Sequence, residues 1–164
     1  MKNQTCCFTG HRNVSDNFGV LKRKLKKTII ELIENGVIYY GSGGTIGFDT
    51  LASLAVLELK KKYPQIKLIM VLPCYEQEKM WSDADKKQYF KILEHADRIR
   101  YVSESYYSGC MHKRNRHLVD NSEFCICYLN SESGGTAYTV NYASRKGLHI
   151  INIYSKIKHF AAWL

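Results

Sequence analysis

Proline is almost missing from this sequence, with Pro64 and Pro73 the only two in 164 residues, and no low-complexity segment interrupts the chain. One continuous domain over residues 1–164 is therefore expected, since this length suffices for a single buried core but is short for two. No run reaches the roughly eighteen apolar residues that a transmembrane helix needs, so no membrane partner is expected. The polar start MKNQ leads into strand-like TCCFTG and does not resemble a signal peptide, which points to a cytoplasmic protein. The six cysteines, Cys6, Cys7, Cys74, Cys110, Cys125 and Cys127, form no CxxC pair, and most lie in apolar runs, as reduced thiols would. Among them only Cys110, with His112 and His117, suggests a metal site. The two histidines, however, would stand about 140° apart on a helix, so no metal is expected.

Acidic residues are also scarce, 15 against 24 Lys and Arg, for a net charge of +9. A basic balance admits nucleic acid as a partner, although no helix-turn-helix, zinc finger or aromatic RNP pattern accompanies it. Two of the basic clusters, Lys22 to Lys27 and Lys60 to Lys62, fit the solvated faces of helices. The third, Lys113 to Arg116, holds Arg114-Asn115-Arg116 just after a glycine-containing loop, where guanidinium groups suit a phosphate.

What is abundant is alternation. Apolar strand-like runs are expected at Thr5 to Thr9, Val37 to Tyr40, Lys67 to Leu72, Arg98 to Val102, Phe124 to Leu129 and His149 to Tyr154. Helical periodicity fills the intervals: Asp16 to Asn35, a stretch from Phe48 closed by Pro64, a polar helix ending near His95, Met111 to Asn121, and one from Gly134 to Lys146. Such alternation predicts an α/β, Rossmann-like open sheet of about six mostly parallel strands with helices on both faces. Ligands of such sheets bind beyond the carboxyl ends of the strands, where strand order reverses.

Three loops rich in small and hydrogen-bonding residues leave that edge. They are Thr9-Gly10-His11-Arg12, the stretch Gly41-Ser42-Gly43-Gly44-Thr45 continuing to Asp49, and Ser133-Gly134-Gly135-Thr136 within the loop from Ser131. Glycine permits positive φ and close approach of a ligand to the backbone, and a helix starting just afterwards presents free amides to an anion. Neither double-glycine loop is a Walker A or a GxGxxG motif, and each also reads as a plain strand-to-helix turn. His11 reads equally as a phosphate contact, an acid or base, or a turn residue. Asp49 reads as a helix-start cap or a ribose contact, and Asp120 as a cap or a positioner of Arg114. Tyr75, Tyr106, Tyr107 and Tyr138 are loop candidates for base stacking, with packing as the alternative for each.

CCFTGHR (Cys6 to Arg12), GGTIGFDTLAS (Gly43 to Ser53), MHKRN (Met111 to Asn115) and SGGTAYTVNYA (Ser133 to Ala143) together resemble the SLOG superfamily of Rossmann-like domains. The resemblance is to its YpsA-like, DUF1273 branch, related to the DNA-processing protein DprA and to the cytokinin-activating LOG enzymes. It implies a nucleotide or nucleotide-derived ligand, ADP-ribose-like, NAD-like or a nucleoside phosphate, in a sensory or regulatory role, with no cofactor required. The ligand-binding residues so expected are Thr9, Gly10, His11, Arg12, Gly41, Ser42, Gly43, Gly44, Thr45, Asp49, Arg114, Asn115, Ser133, Gly134, Gly135 and Thr136. The LOG likeness implies an alternative, a nucleoside-phosphate N-glycosidase in which Arg114 matches the catalytic arginine. The LOG glutamate is replaced by Thr139 here, which leaves Asp49 as the available carboxylate and makes a non-catalytic binding domain the leading expectation. The DprA likeness implies single-stranded DNA binding as a further alternative. A homo-oligomer is compatible with a small domain of this kind.

Overall fold

In the computed structural model, which describes residues 1–154, a short 3-10 turn at Lys2–Gln4 precedes six strands alternating with five helices. These are β1 (Thr5–Gly10), α1 (Phe18–Glu34), β2 (Tyr39–Ser42), α2 (Phe48–Lys60), β3 (Lys67–Leu72), α3 (Asp83–His95), β4 (Arg98–Tyr101), α4 (Cys110–Asp120), β5 (Phe124–Tyr128), α5 (Gly135–Arg145) and β6 (His149–Asn152). All strand pairs are parallel, in the order β4-β3-β2-β1-β5-β6. The fold is a Rossmann-like α/β sheet, as the alternation predicts. The expected domain of 1–164 includes residues 155–164, which lie outside the described residues.

The two sheet faces are covered unequally. Alternate residues of β1 point to opposite sides: Cys6 and Phe8 pack with Leu25 and Ile29 of α1, Ala52 and Val56 of α2, and Tyr89 and Ile92 of α3. Cys7 packs on the other side with Leu118 and Val119 of α4, Ala143 of α5, and Cys125 and Cys127 of β5. Three helices thus cover one face and two the other. All six cysteines are buried and free, four in strands, Cys74 in a loop and Cys110 at the start of α4. The Lys22–Lys27 cluster is not wholly solvated, since Lys22 and Lys26 reach Glu58 at 3.0 and 2.6 Å and tie α1 to α2.

One boundary differs from expectation with consequences for the site. The second strand begins at Tyr39 rather than Val37, because the end of α1 consumes the intervening residues. Gly36, at φ 90°, donates to the Ile33 carbonyl and Val37 to that of Leu32, a Schellman closure that lets only glycine sit comfortably at its left-handed position. Gly41 and Ser42 consequently belong to β2, paired with Ile69 and Met70, rather than to the loop beyond it.

Connections from β1 run toward β4 on one side, whereas β5 and β6 lie on the other. The order therefore reverses between β1 and β5, and a crevice opens there at their carboxyl ends.

Candidate functional site

That crevice is a cleft of about 430 Å³. Its walls are Phe8, Thr9 and Gly10 of β1, His11 and Arg12 beyond it, Thr45 in the loop before α2, Asp49 in the first turn of α2, Met111, His112, Arg114 and Asn115 of α4, and Gly135 and Thr136 of α5.

The β1 side is shaped by glycines. A Cβ on Gly10 would run into the Phe48 ring, and one on Gly47, at φ 86°, would strike the Arg12 backbone. These two absences let the first loop lie flat against the start of α2, where Phe48 N–H donates to the His11 carbonyl at 3.1 Å. The His11 ring turns toward β5, and its Nε2 accepts from the Asn130 N–H at 3.1 Å. That bond requires an unprotonated Nε2, and burial holds the imidazole below its ordinary value in the same direction. His11 so links the loops after β1 and β5.

Asp49 lies in the first turn of α2, where a carboxylate complements the helix dipole. It is buried, and its Oδ2 accepts from Thr45 Oγ1 at 2.8 Å and from Thr45 N–H at 3.4 Å. Burial raises its proton affinity, while the Arg114 charge, Thr45 and Arg12 pull the other way. Among the described residues it is the only carboxylate lining the cleft.

Arg114 is not the open phosphate hook that its sequence setting suggests. Only 3% exposed, it donates from Nη1 to the Gly43 carbonyl and from Nε to Asn115 Oδ1 at 2.7 Å. Gln77 Nε2 adds a second bond to the Gly43 carbonyl at 3.2 Å. The first double-glycine loop is therefore a seat for this guanidinium. Gly43 has no room for a Cβ beside it, and Gly44, at φ 73°, packs against Leu72, Met70 and Tyr89. Gly41, Ser42, Gly43 and Gly44 stand behind the cleft wall, since β2 extends through Ser42 and the turn beyond folds inward. Ser42 is held there by Ser53, whose hydroxyl donates at 2.9 Å.

The second double-glycine loop differs. Gly134, at φ 98°, is the N-cap of α5, no side chain caps the helix, and Gly135 and Thr136 open onto the cleft. A Cβ on Gly135 would meet nothing within 4 Å. Ser133 and Gly134 sit just outside the cleft walls. Thr139, at the position of the LOG glutamate, is buried and donates back to the Gly135 carbonyl at 2.9 Å. Asp120 neither caps nor touches Arg114; it accepts from Tyr142 at 2.8 Å and joins α4 to α5.

Met111 and Asn130 complete the site without having been singled out, and His112, weighed in the sequence only as a metal ligand, lines the cleft beside them. Met111 and His112 share one face of α4 with Arg114 and Asn115, a spacing readable in MHKRN. Asn130 is placed only by the pairing of β1 with β5. At the rim, Tyr138 meets His112 with ring centroids 4.2 Å apart and accepts from Arg116, so it is a packing residue as much as a free platform. Tyr75, Tyr106 and Tyr107 are exposed, and Tyr75 stacks on Tyr101 at 4.2 Å.

The family model described as YspA SLOG family, YpsA, matches residues 6–155. The chain belongs to this family. It is 36% identical over 138 residues to the SPbeta prophage-derived protein YoqJ of Bacillus subtilis, covering 76% of the chain and 81% of that protein. A UPF0398 protein of Halalkalibacterium halodurans is 30% identical over 139 residues, with 83% of the chain and 71% of the relative covered. In structure this SLOG-family chain is similar to DprA of Streptococcus pneumoniae, with a TM-score of 0.69 and 21% identity over 96% of its length, yet it spans only 52% of that protein. DprA of Helicobacter pylori, described for its single-stranded DNA binding mode, gives 0.68 and 19%, with 96% and 68% covered. At these identities the likeness is one of fold.

Proposed function

We propose that the cleft binds a phosphorylated nucleoside or nucleotide-derived small molecule, and that the chain serves as a sensory or regulatory binding domain. The observation that carries this reading is the uncapped start of α5, whose Gly135 and Thr136 open onto the switch-point crevice opposite the buried Asp49. A phosphate suits the α5 amides and dipole. The unused Oδ1 side of Asp49 suits ribose hydroxyls, which donate to a carboxylate. Met111 and His112 offer an apolar and aromatic surface for a base. Arg114 holds the Gly43 loop in place and supplies positive potential from within the wall.

The N-glycosidase alternative draws less support. Thr139 brings no carboxylate, which leaves Asp49, already engaged by Thr45, without the second acid that glycoside cleavage ordinarily uses. Thermal-shift and calorimetric titration with AMP, ADP-ribose and NAD tests the binding reading. Saturable stabilisation that disappears in Gly135→Val supports it. A flat response from folded protein at millimolar ligand overturns it.

A second reading, single-stranded DNA at the same edge, is favoured by the exposed Tyr75, Tyr106 and Tyr107 and by the DNA-binding description of the Helicobacter pylori neighbour. Its signature is affinity for a labelled oligothymidine that falls steeply with salt and weakens in Tyr75→Ala/Tyr107→Ala.

A further inference from the structure

The uneven covering of the sheet leaves a second concavity behind the first. Between β3, β4 and the far side of α4 lies a cavity of about 470 Å³ whose floor is Gly41, Ile69, Val71 and Leu118. Gly41 creates the dip, because a Cβ there would come within 2.8 Å of the Leu118 side chain. Above the apolar floor stand Arg98, Arg100 and His117. Arg100 and His117 also line an adjoining cavity of about 370 Å³ with Lys113 and Arg116, so the two meet beside the C-terminal half of α4 and together form one groove lined by basic residues.

The cations of this groove have few anions of their own. Arg98, Arg100, Lys113 and Arg116 take part in none of the salt bridges among the described residues. The two acids that line it are engaged by other groups: Asp97 accepts from Lys60 and from the Leu68 N–H and faces Lys67, and Asp120 accepts from Tyr142 and faces Lys146. Burial and the Arg100 charge oppose protonation of His117, with Asp120 pulling the other way. Among the described residues, an apolar floor beside cations that form no salt bridge is complementary to an amphipathic chain of opposite sign.

We infer that this groove docks an acidic segment of a partner protein, one apolar side chain seated on Ile69 and Leu118 and its carboxylates paired with Arg98 and Arg100. A nucleic-acid backbone would satisfy the cations yet leave the aliphatic floor unfilled. The site is separate from the cleft, because α4 presents Met111, His112 and Asn115 to one and Lys113, Arg116 and His117 to the other.

The test uses the full chain and a fluorescein-labelled synthetic helix of glutamates with leucines at i, i+3, i+4 and i+7, read by anisotropy. Saturable binding is expected, weakened about tenfold in Arg98→Glu/Arg100→Glu, a loss of the size that cross-interface charge pairs carry. Arg23→Glu/Lys27→Glu on α1 changes net charge equally and is expected to leave the affinity within about twofold, as exposed charges remote from an interface do. A peptide with its leucines replaced by glycine is expected to bind about tenfold more weakly, since the floor would lose its anchor. Circular dichroism of each variant secures the fold. Equal weakening by the two charge reversals, equal affinity for the glycine peptide, or no saturable binding overturns the proposal. Oligothymidine bound through Arg98 and Arg100 while the peptide is not would overturn it in favour of nucleic acid.

Discussion

The guanidinium of Arg114 is bonded to the carbonyl of Gly43, 71 residues earlier in the chain, and occupies the space that a Cβ on that glycine would need. This contact assigns different duties to two loops that look alike in sequence. GGT after β2 holds a buried cation, and GGT at the start of α5 faces the cleft.

Gly43→Ala and Gly135→Ala should therefore separate. The first drives a methyl into a buried guanidinium and is expected to cost about 2 kcal/mol, lowering Tm by about 4–8 °C for a chain of this size. The second adds a methyl to open space at the first helical position and should leave Tm within about 2 °C. A calorimetric comparison that found the two equally destabilised would contradict the assignment.

Removing the Arg114 charge leaves Asp49 buried without its main counter-charge. Arg114→Met is expected to destabilise by about 1–3 kcal/mol, the range for a buried polar group, here the Gly43 carbonyl, that loses its donor. Adding Asp49→Asn should restore part of that loss. The coupling is measured by urea unfolding of both single variants and the double; additive effects would mean that the two charges do not interact.

Asp49 also has a pH signature. Burial raises its folded proton affinity above the unfolded value of 3.8, so the folded protein resists ionising it. Its contribution to stability is fully present below pH 3.8 and is lost as pH rises through the higher folded value. Relative to Asp49→Asn, the wild type should thus lose stability as pH increases from about 4, and a constant difference across that window would refute the direction.

For His11 the sign is opposite. Its folded value lies below the ordinary 6.5, and the Asn130 N–H needs Nε2 free of a proton. Stability that His11 contributes is present at neutral pH and lost as pH falls through 6.5 toward the folded value. Thermal melts from pH 7.5 to 5 should therefore bring wild type and His11→Ala closer together as pH drops, about 1 kcal/mol of difference being at stake in one such hydrogen bond.

Much of this was legible in the chain itself, because element type is written in local periodicity. Leu21, Leu25, Ile29 and Leu32 at helical spacing, and the apolar run of β3, state their conformations without reference to anything distant. Boundaries slipped where a local closure competed, as at Gly36 and Val37. The Gly-rich loops and the sheet edge they leave were also readable, since every parallel strand delivers its following loop to the same end.

Strand order was not readable, because pairing joins residues far apart and depends on the sum of packing across two sheet faces. Only the tertiary structure set β1 beside β5, and with that His11 against Asn130, the α5 start in one cleft with Asp49, and Arg114 against Gly43. The sequence by itself determined a Rossmann-like domain with glycine loops at one edge. Long-range packing decided which of those glycines meet solvent and which enclose a buried charge.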